Sequence, residues 1–244
     1  MIRVGIGGWS FEPWEETFYP PKLAAAKQLE YAASKVTAIE INATFYRTQS
    51  ATSFKKWADA TPDDFMFSVK APRAAVQRKD LREAKESIEW FFNSGVVELG
   101  AKLGPIFWQM APYKKFDAAE MTAYFDMLPE KVKKLPLRHA LEVRHASFQD
   151  DAFLKLARER NIAVVTVESE KHPLIAEPTA NFAYARLELT QADQPTGYAK
   201  PALKKWAKTA RDWEKTGDVF LYFISGAKER NPAAAMAMLE LLKS

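Results

Sequence analysis

Glu40 and Asn42 stand two residues apart in the stretch 38–45, and Glu142 and Arg144 do the same in 138–145. Lys70 ends the stretch 65–70, Gln109 nearly ends 104–110, Glu168 nearly ends 163–169, and Arg186 lies in 182–188. Their neighbours are mostly Val, Ile, Leu and Phe, which favour strands. Strand side chains alternate between faces, so each polar group points away from the large apolar residues beside it. Strands that send polar groups inward near their C-terminal ends build a site in the way a parallel barrel does. Carboxylates placed there can move protons, and Lys or Arg can hold an anionic substrate or transition state. A desolvated lysine beside other cations can also attack a carbonyl group, whereas ion pairing to a glutamate would hold it charged instead.

These residues give the expected site. Glu142, Glu40 and Lys70 are the candidate catalytic groups. Trp9, Asn42, Tyr46, Gln109, Arg144, His145, Glu168 and Arg186 are the candidate substrate contacts. The inward set pairs Glu40, Glu142 and Glu168 with Lys70, Arg144 and Arg186, so its formal charges cancel. Buried charge requires such cancellation under any reading, and a self-satisfied ion network filling the barrel top fits the same residues. Strand ends beside polar loops predict a wet mouth instead. In a wet mouth Glu142→Gln leaves stability nearly unchanged.

Aromatic residues crowd the first loop, at Trp9, Phe11, Trp14, Phe18 and Tyr19, and Phe45 and Tyr46 follow the second strand. They offer flat walls for a planar ligand, or a small apolar plug. After the last strand, Gly226, Lys228 and Asn231 mark a glycine turn opening a helix, where free N–H groups and the helix dipole favour an anion, and an ordinary capped helix on a surface loop fits the same residues. The histidines are His139, His145 and His172. Alternation sets His139 and His145 on the face opposite Glu142, so no protein-held metal site is expected, a single hard cation on the glutamates is left open, and His145 also reads as a capping residue.

Positioning these groups requires repeated strand–helix units. Strands are read at 3–8, 38–45, 65–70, 104–110, 138–145, 163–169, 182–188 and 219–225. Helical periodicity is read near 22–35, 50–60, 80–94, 117–128, 150–160, 199–215 and 232–243. Asp117 with Glu120 reads as a capping box, and Asn231 before Pro232 as a helix start. The stretch 172–180 holds two prolines and little helical period, so that crossover is expected to be irregular. Eight alternating units predict an α/β fold, a single-domain (β/α)8 TIM barrel over 1–244.

The chain has 244 residues, 48% of them hydrophobic, enough for one such barrel. Cysteine is absent, which excludes disulfides, thiolate metal sites and cysteine nucleophiles. No secretory signal is read before the first strand, and the apolar run 219–224 is too short to span a bilayer. A cytoplasmic protein with no membrane partner is expected. Lys and Arg total 35 against 31 acids, a net charge of +4. The basic clusters, Lys131, Lys133, Lys134 and Arg138 and then Lys204, Lys205, Lys208 and Arg211, precede a strand or ride a helix, away from the mouth.

Several segments together resemble the domain of unknown function 72 family, also called YecE-like. They are Gly7-Gly8-Trp9-Ser10 with Trp14 and Phe18-Tyr19-Pro20; Glu40 through Tyr46; Val69-Lys70-Ala71-Pro72; Leu103-Gly104-Pro105 with Gln109 and Pro112; Glu142 through His145; Pro178-Thr179; Tyr184 through Leu187; and Leu221-Tyr222-Phe223. The resemblance runs in order along nearly the whole chain. It implies a TIM barrel and no established activity. Family members often carry Thr-His where this chain has Val76-Gln77, and an aspartate where it has Glu168. Any mechanism that needs that histidine does not transfer.

The leading expectation is an enzyme, or an enzyme-derived binder, for a small anionic and partly planar metabolite, with no cofactor. The runner-up is a nucleic-acid-binding barrel related by fold to repair endonucleases. Scarce histidines and misplaced basic clusters argue against it. The sequence carries no signal for oligomeric state.

Overall fold

The computed structural model describes residues 1–243. Its sheet is built from strands β1 (Ile2–Gly7), β2 (Ala38–Ile41), β3 (Met66–Lys70), β4 (Leu103–Gln109), β7 (His139–Glu142), β8 (Ile162–Val164), β9 (Thr166–Glu168), β10 (Phe182–Leu187) and β11 (Asp218–Phe223). A short antiparallel hairpin, β5 (Lys131–Val132) with β6 (Leu135–Pro136), stands apart from them. All pairings in the main sheet are parallel, in the order β8-β7-β4-β3-β2-β1-β11-β10-β9.

The two edges of that order are halves of one chain segment. Only Val165 separates β8 from β9, the first half bonding to β7 and the second to β10. The Val165 N–H still donates to Leu141 O at 2.9 Å. Strand six therefore bends across the seam and brings the sheet round into a TIM barrel, as the strand count predicted.

Helices α1 (Trp14–Thr17), α2 (Gln28–Ala33), α3 (Ala51–Asp59), α4 (Arg73–Val76), α5 (Lys85–Asn93), α6 (Ala118–Asp126), α7 (Asp151–Glu159), α8 (Lys200–Glu214) and α9 (Asn231–Lys243) lie in the connections. Their starts follow the sequence. Ser50, Asp117 and Asp150 accept backbone N–H bonds from Ser53, Glu120 and Ala152 at 3.2, 2.7 and 2.7 Å. The expected capping box is half formed, because the Glu120 carboxylate turns instead to the Leu81 N–H and to Lys114 Nζ. Two expected helices come out shorter. The stretch 22–35 yields a 3-10 turn and α2, and 80–94 yields a 3-10 turn and α5.

The expected irregular crossover is real, since 169–181 carries no helix. Thr179 takes over part of a neighbour's work, accepting from the Val164 N–H at 2.7 Å and donating to Ile162 O at 2.8 Å. Among the described residues, no helix is long and apolar enough to cross a membrane.

The barrel interior is layered. At its N-terminal end Arg138 donates to Asp218 at 2.9 Å and lies over the Phe220 ring at 4.7 Å. Above comes an aromatic floor. The Phe107 and Tyr184 rings stack 5.5 Å apart, 6° from parallel, and the Tyr222 hydroxyl shares a 2.7 Å hydrogen bond with Ser68. Gly5 makes room for Tyr222, because a Cβ there would stand 2.9 Å from its ring and 2.2 Å from Ala38 O. The charged residues lie on this floor.

Candidate functional site at the barrel mouth

The C-terminal ends of β2, β3, β4, β7 and β10 deliver Glu40, Lys70, Gln109, Glu142 and Arg186 into one connected network. Arg186 is its hub. It donates to Glu142 Oε2 at 2.6 Å and to Glu188 Oε1 at 2.9 Å, and its Nε lies 3.3 Å from Glu40 Oε2. That Nε contact is too poorly aligned to be a hydrogen bond, and the pair's hydrogen bond is instead a long one from Arg186 Nη2 to Glu40 Oε1 at 3.5 Å. Glu142 Oε1 accepts from Arg144 at 2.6 Å and Gln109 at 2.8 Å. Gln109 passes the chain on, accepting from Lys70 Nζ at 2.7 Å. Glu40 accepts from Asn42 at 3.0 Å and from the Tyr184 hydroxyl at 2.7 Å. Of the eight residues that alternation placed inward, Glu40, Asn42, Lys70, Gln109, Glu142, Arg144 and Arg186 are thus brought together.

The electrostatics follow from burial against an aromatic floor. Burial pushes the Glu142 carboxyl up, but the charges of Arg186 and Arg144 and their hydrogen bonds outweigh it and bring it down to about 2. Burial likewise opposes the Arg186 charge, and Glu142, Glu40 and Glu188 overcome it and hold the guanidinium protonated. Lys70 goes the other way. Burial and the nearby Arg186 lower it to about 8, against the pull of Glu40 and Glu142. Burial also raises the Glu188 carboxyl.

Several placements correct the sequence reading. Glu168 does not join the network. It accepts from the Tyr198 hydroxyl and from Trp206 Nε1 of α8 at 2.7 Å, on the helix side of the sheet. Strand six is largely apolar, with Val165 and Val167 lining the interior and Thr166 two residues before Glu168 on the outer face, so reading the polar residue at its end as inward runs against its own alternation. Glu188 occupies the acidic place instead, and the balance of three acids against three bases survives with that exchange.

The wet-mouth expectation also fails for the carboxylates. Glu40 and Glu142 are 0% exposed, with their oxygens engaged by the donors above. This suits them to holding cations rather than to acid–base chemistry. His145 caps a 3-10 turn through bonds to Ser147. Trp9 packs edge-on to Trp57 and Phe67, to the side of the charged network. Tyr46 is 84% exposed at the rim.

Above the network lies a cavity of about 260 Å³, lined by Gly7, Asn42, Tyr46, Lys70, Arg186, Ile224, Ser225, Lys228 and Asn231. Its charged lining is cationic throughout, the carboxylates standing beneath. A second cavity of about 250 Å³ shares Gly7, Asn42 and Lys228 with it and reaches Trp9 and Trp57. The expected anion turn opens into the same mouth. Gly226 has φ +57°, and a Cβ there would stand 2.5 Å from Thr190 Oγ1. Asn231 is already helical, and its side chain is committed to Thr190 and Ser225. Lys228 Nζ lies over the Phe11 ring at 4.1 Å.

Two groups escaped the sequence reading. Glu188 was legible, because it continues the inward set of Tyr184 and Arg186 by steps of two. His172 was not, because it sits on the irregular 169–181 segment where no period applies. Its Nδ1 is buried without a hydrogen-bond partner, and burial, then the Arg144 charge, keep the ring neutral. Among the described residues, no group of three or more His, Asp or Glu is arranged to hold a metal ion. A guanidinium stands where Glu40, Glu142 and Glu188 converge.

Residues 3–244 match the family described as "Protein of unknown function DUF72". The UPF0759 protein YunF of Bacillus subtilis (strain 168) is 29% identical, over 99% of this chain and 95% of YunF. A crystal structure of a DUF72 family protein (TM1631) from Thermotoga maritima MSB8 superposes with a TM-score of 0.80 at 22% identity, covering all of both chains. D-psicose 3-epimerase from Clostridium cellulolyticum H10, solved with D-tagatose, gives a TM-score of 0.57 at 13% identity, covering 99% of this chain and 98% of its own. At such identities the structural likenesses establish the fold.

Proposed function

The chain belongs to the DUF72 family, and from that premise we propose that its barrel mouth binds a small anionic, partly planar metabolite. The observation that carries this reading is the sorting of charge. Lys70, Arg186 and Lys228 face the cavity, while Glu40 and Glu142 lie sealed beneath them. A self-satisfied plug would turn both signs inward and leave no room. Here about 260 Å³ stays open, near the lower end of ligand pockets at roughly 300 Å³. That size suits a metabolite rather than a polymer. The adjoining space beside Trp9 and Trp57 suits its planar part.

Thermal unfolding across a panel of inorganic phosphate, sulfate and small carboxylates tests the reading. At least one anion is expected to raise the midpoint in a saturable way, beyond chloride at equal ionic strength. Lys228→Met keeps the ring packing and removes one cation, and should weaken that anion by about tenfold, the equivalent of about 1.4 kcal/mol. A midpoint indifferent to every anion, or equal binding by the variant, would count against this mouth.

A further inference from the structure

The cations around the mouth are not held alike. Arg186 is surrounded by carboxylates, and Lys228 leans on the Phe11 and Trp14 rings at the cavity edge. Lys70 Nζ has a neutral hydrogen-bond partner, Gln109 Oε1 at 2.7 Å, and among the described residues no carboxylate within ion-pair distance. Its ammonium rests on the Phe45 and Phe107 faces at 4.4 and 5.6 Å. The Arg186 guanidinium lies over the same Phe107 ring at 4.8 Å, so two like charges share one aromatic surface. Thr44 bonds the Lys70 backbone carbonyl at 2.6 Å and fixes the base of the side chain. A lysine that is desolvated, placed beside another cation and paired directly with no carboxylate is built to lose its proton and act as a nucleophile.

We propose that Lys70 forms an imine with a small carbonyl compound that also carries a carboxylate or phosphate. The assignment rests on the anionic-ligand reading of the cavity and narrows it to a substrate class. The acidic group lies toward Arg186 and Lys228, which leaves the carbonyl carbon for Nζ. The neutral amine donates its electron pair to that carbon, and the C–N bond forms as the carbonyl π pair moves to oxygen. The nitrogen proton passes through water to that oxygen, giving a carbinolamine. A second proton from solvent lets the C–O bond break, water leaves, and the nitrogen pair closes the C=N bond. Amine, carbonyl and one proton thus become iminium and water.

The charged groups that act on the amine agree with this role. Burial, Arg186 on β10 and Arg144 after β7 oppose its proton more than Glu40 on β2 and Glu142 on β7 retain it. At pH 7.5 an amine titrating near 8 is unprotonated in about a quarter of molecules, against about a thousandth for an ordinary lysine.

Reductive methylation with formaldehyde and cyanoborohydride, read lysine by lysine by peptide mass spectrometry, needs no knowledge of the natural substrate. Lys70 should react at least roughly tenfold faster than the exposed Lys55 and Lys155 at pH 7.5. Trapping with glyoxylate, which adds a carboxylate, should favour Lys70 further and be suppressed by inorganic phosphate. Lys70→Arg should abolish the fast adduct. Reaction of Lys70 no faster than Lys55 with either reagent overturns the proposal. If phosphate stabilises the fold while Lys70 stays inert, the imine falls and the anion reading stands. Fast formaldehyde trapping with no glyoxylate preference sinks the anion reading, and with it the substrate class assigned here.

Discussion

Glu142 holds the charged network together without lining the cavity above it. It is fully buried and takes bonds from Gln109, Arg144 and Arg186. Removing its charge leaves a guanidinium short of a partner, so Glu142→Gln should cost about 3–5 kcal/mol in urea unfolding. The pH window carries the sign. Its folded titration lies near 2, below the ordinary 4.5, so its contribution is complete above about pH 5 and is lost as pH falls toward 2. The gap between wild type and variant should close over that window, and a gap that persists to pH 2 would refute the assignment. Lys70 should behave in the opposite sense. Its titration is lowered to about 8, so its buried charge is a burden below that pH, relieved as pH rises toward 10.5. Lys70→Met should therefore be more stable than wild type at pH 7, by about 1–3 kcal/mol, with the gain fading by pH 10.5. A loss at pH 7 would mean that the Gln109 bond and ring contacts outweigh the desolvation. Most of these residues were legible from alternation alone, because each interrupts an apolar strand near its end. The depth at which they sit was not legible, because Phe107 of β4 assembles the floor beneath Glu40 with Tyr184 of β10 and Tyr222 of β11, which lie far from it in sequence.

At the scale of elements, the crossover between strands six and seven departs most from a regular barrel. Residues 169–181 run without a helix, and Thr179 fills part of the gap with a side chain. Its hydroxyl meets the Val164 N–H and Ile162 O just before the chain bends at Val165 to change neighbours. Thr179→Val keeps the shape and strands both backbone groups. It should cost about 1–3 kcal/mol by chemical denaturation, and Thr179→Ser should recover most of it. A Val variant as stable as wild type would show that the bend needs no such support. The two prolines announced this irregular crossover. The hairpin at 131–136 went unannounced, since two-residue strands are too short to show a period. The face of Glu168 was legible, because it follows Thr166 by a step of two, opposite Val165 and Val167. Glu188 could have been found by extending the steps of two from Tyr184 and Arg186.

Across the whole molecule, charge is distributed in a way that separates the two classes of ligand considered for this barrel. The net charge of +4 is small for the chain's size, and the basic clusters lie away from the mouth, Lys131 and Lys133 on the hairpin and Lys204, Lys205 and Lys208 on α8. Neither cluster lines the cavity at the mouth, whose cations are Lys70, Arg186 and Lys228. A polymer needs several phosphate contacts in a row, and six to ten of them make affinity fall by about 10³–10⁵ between 50 and 200 mM salt. A small anion held by two or three partly buried cations is screened far less. The expected outcome is a phosphate-type ligand whose affinity falls by less than about tenfold over that range. At a hundredfold excess over its dissociation constant it should stabilise the fold by about 2.7 kcal/mol, raising the midpoint by about 5–10 °C. Single-stranded oligonucleotides should bind weakly and leave the midpoint unmoved in the same titration. Micromolar oligonucleotide binding with a steep salt slope, competed away by small phosphates, would instead show that the mouth takes a nucleic-acid backbone and that its 260 Å³ cavity receives one phosphate of a longer chain.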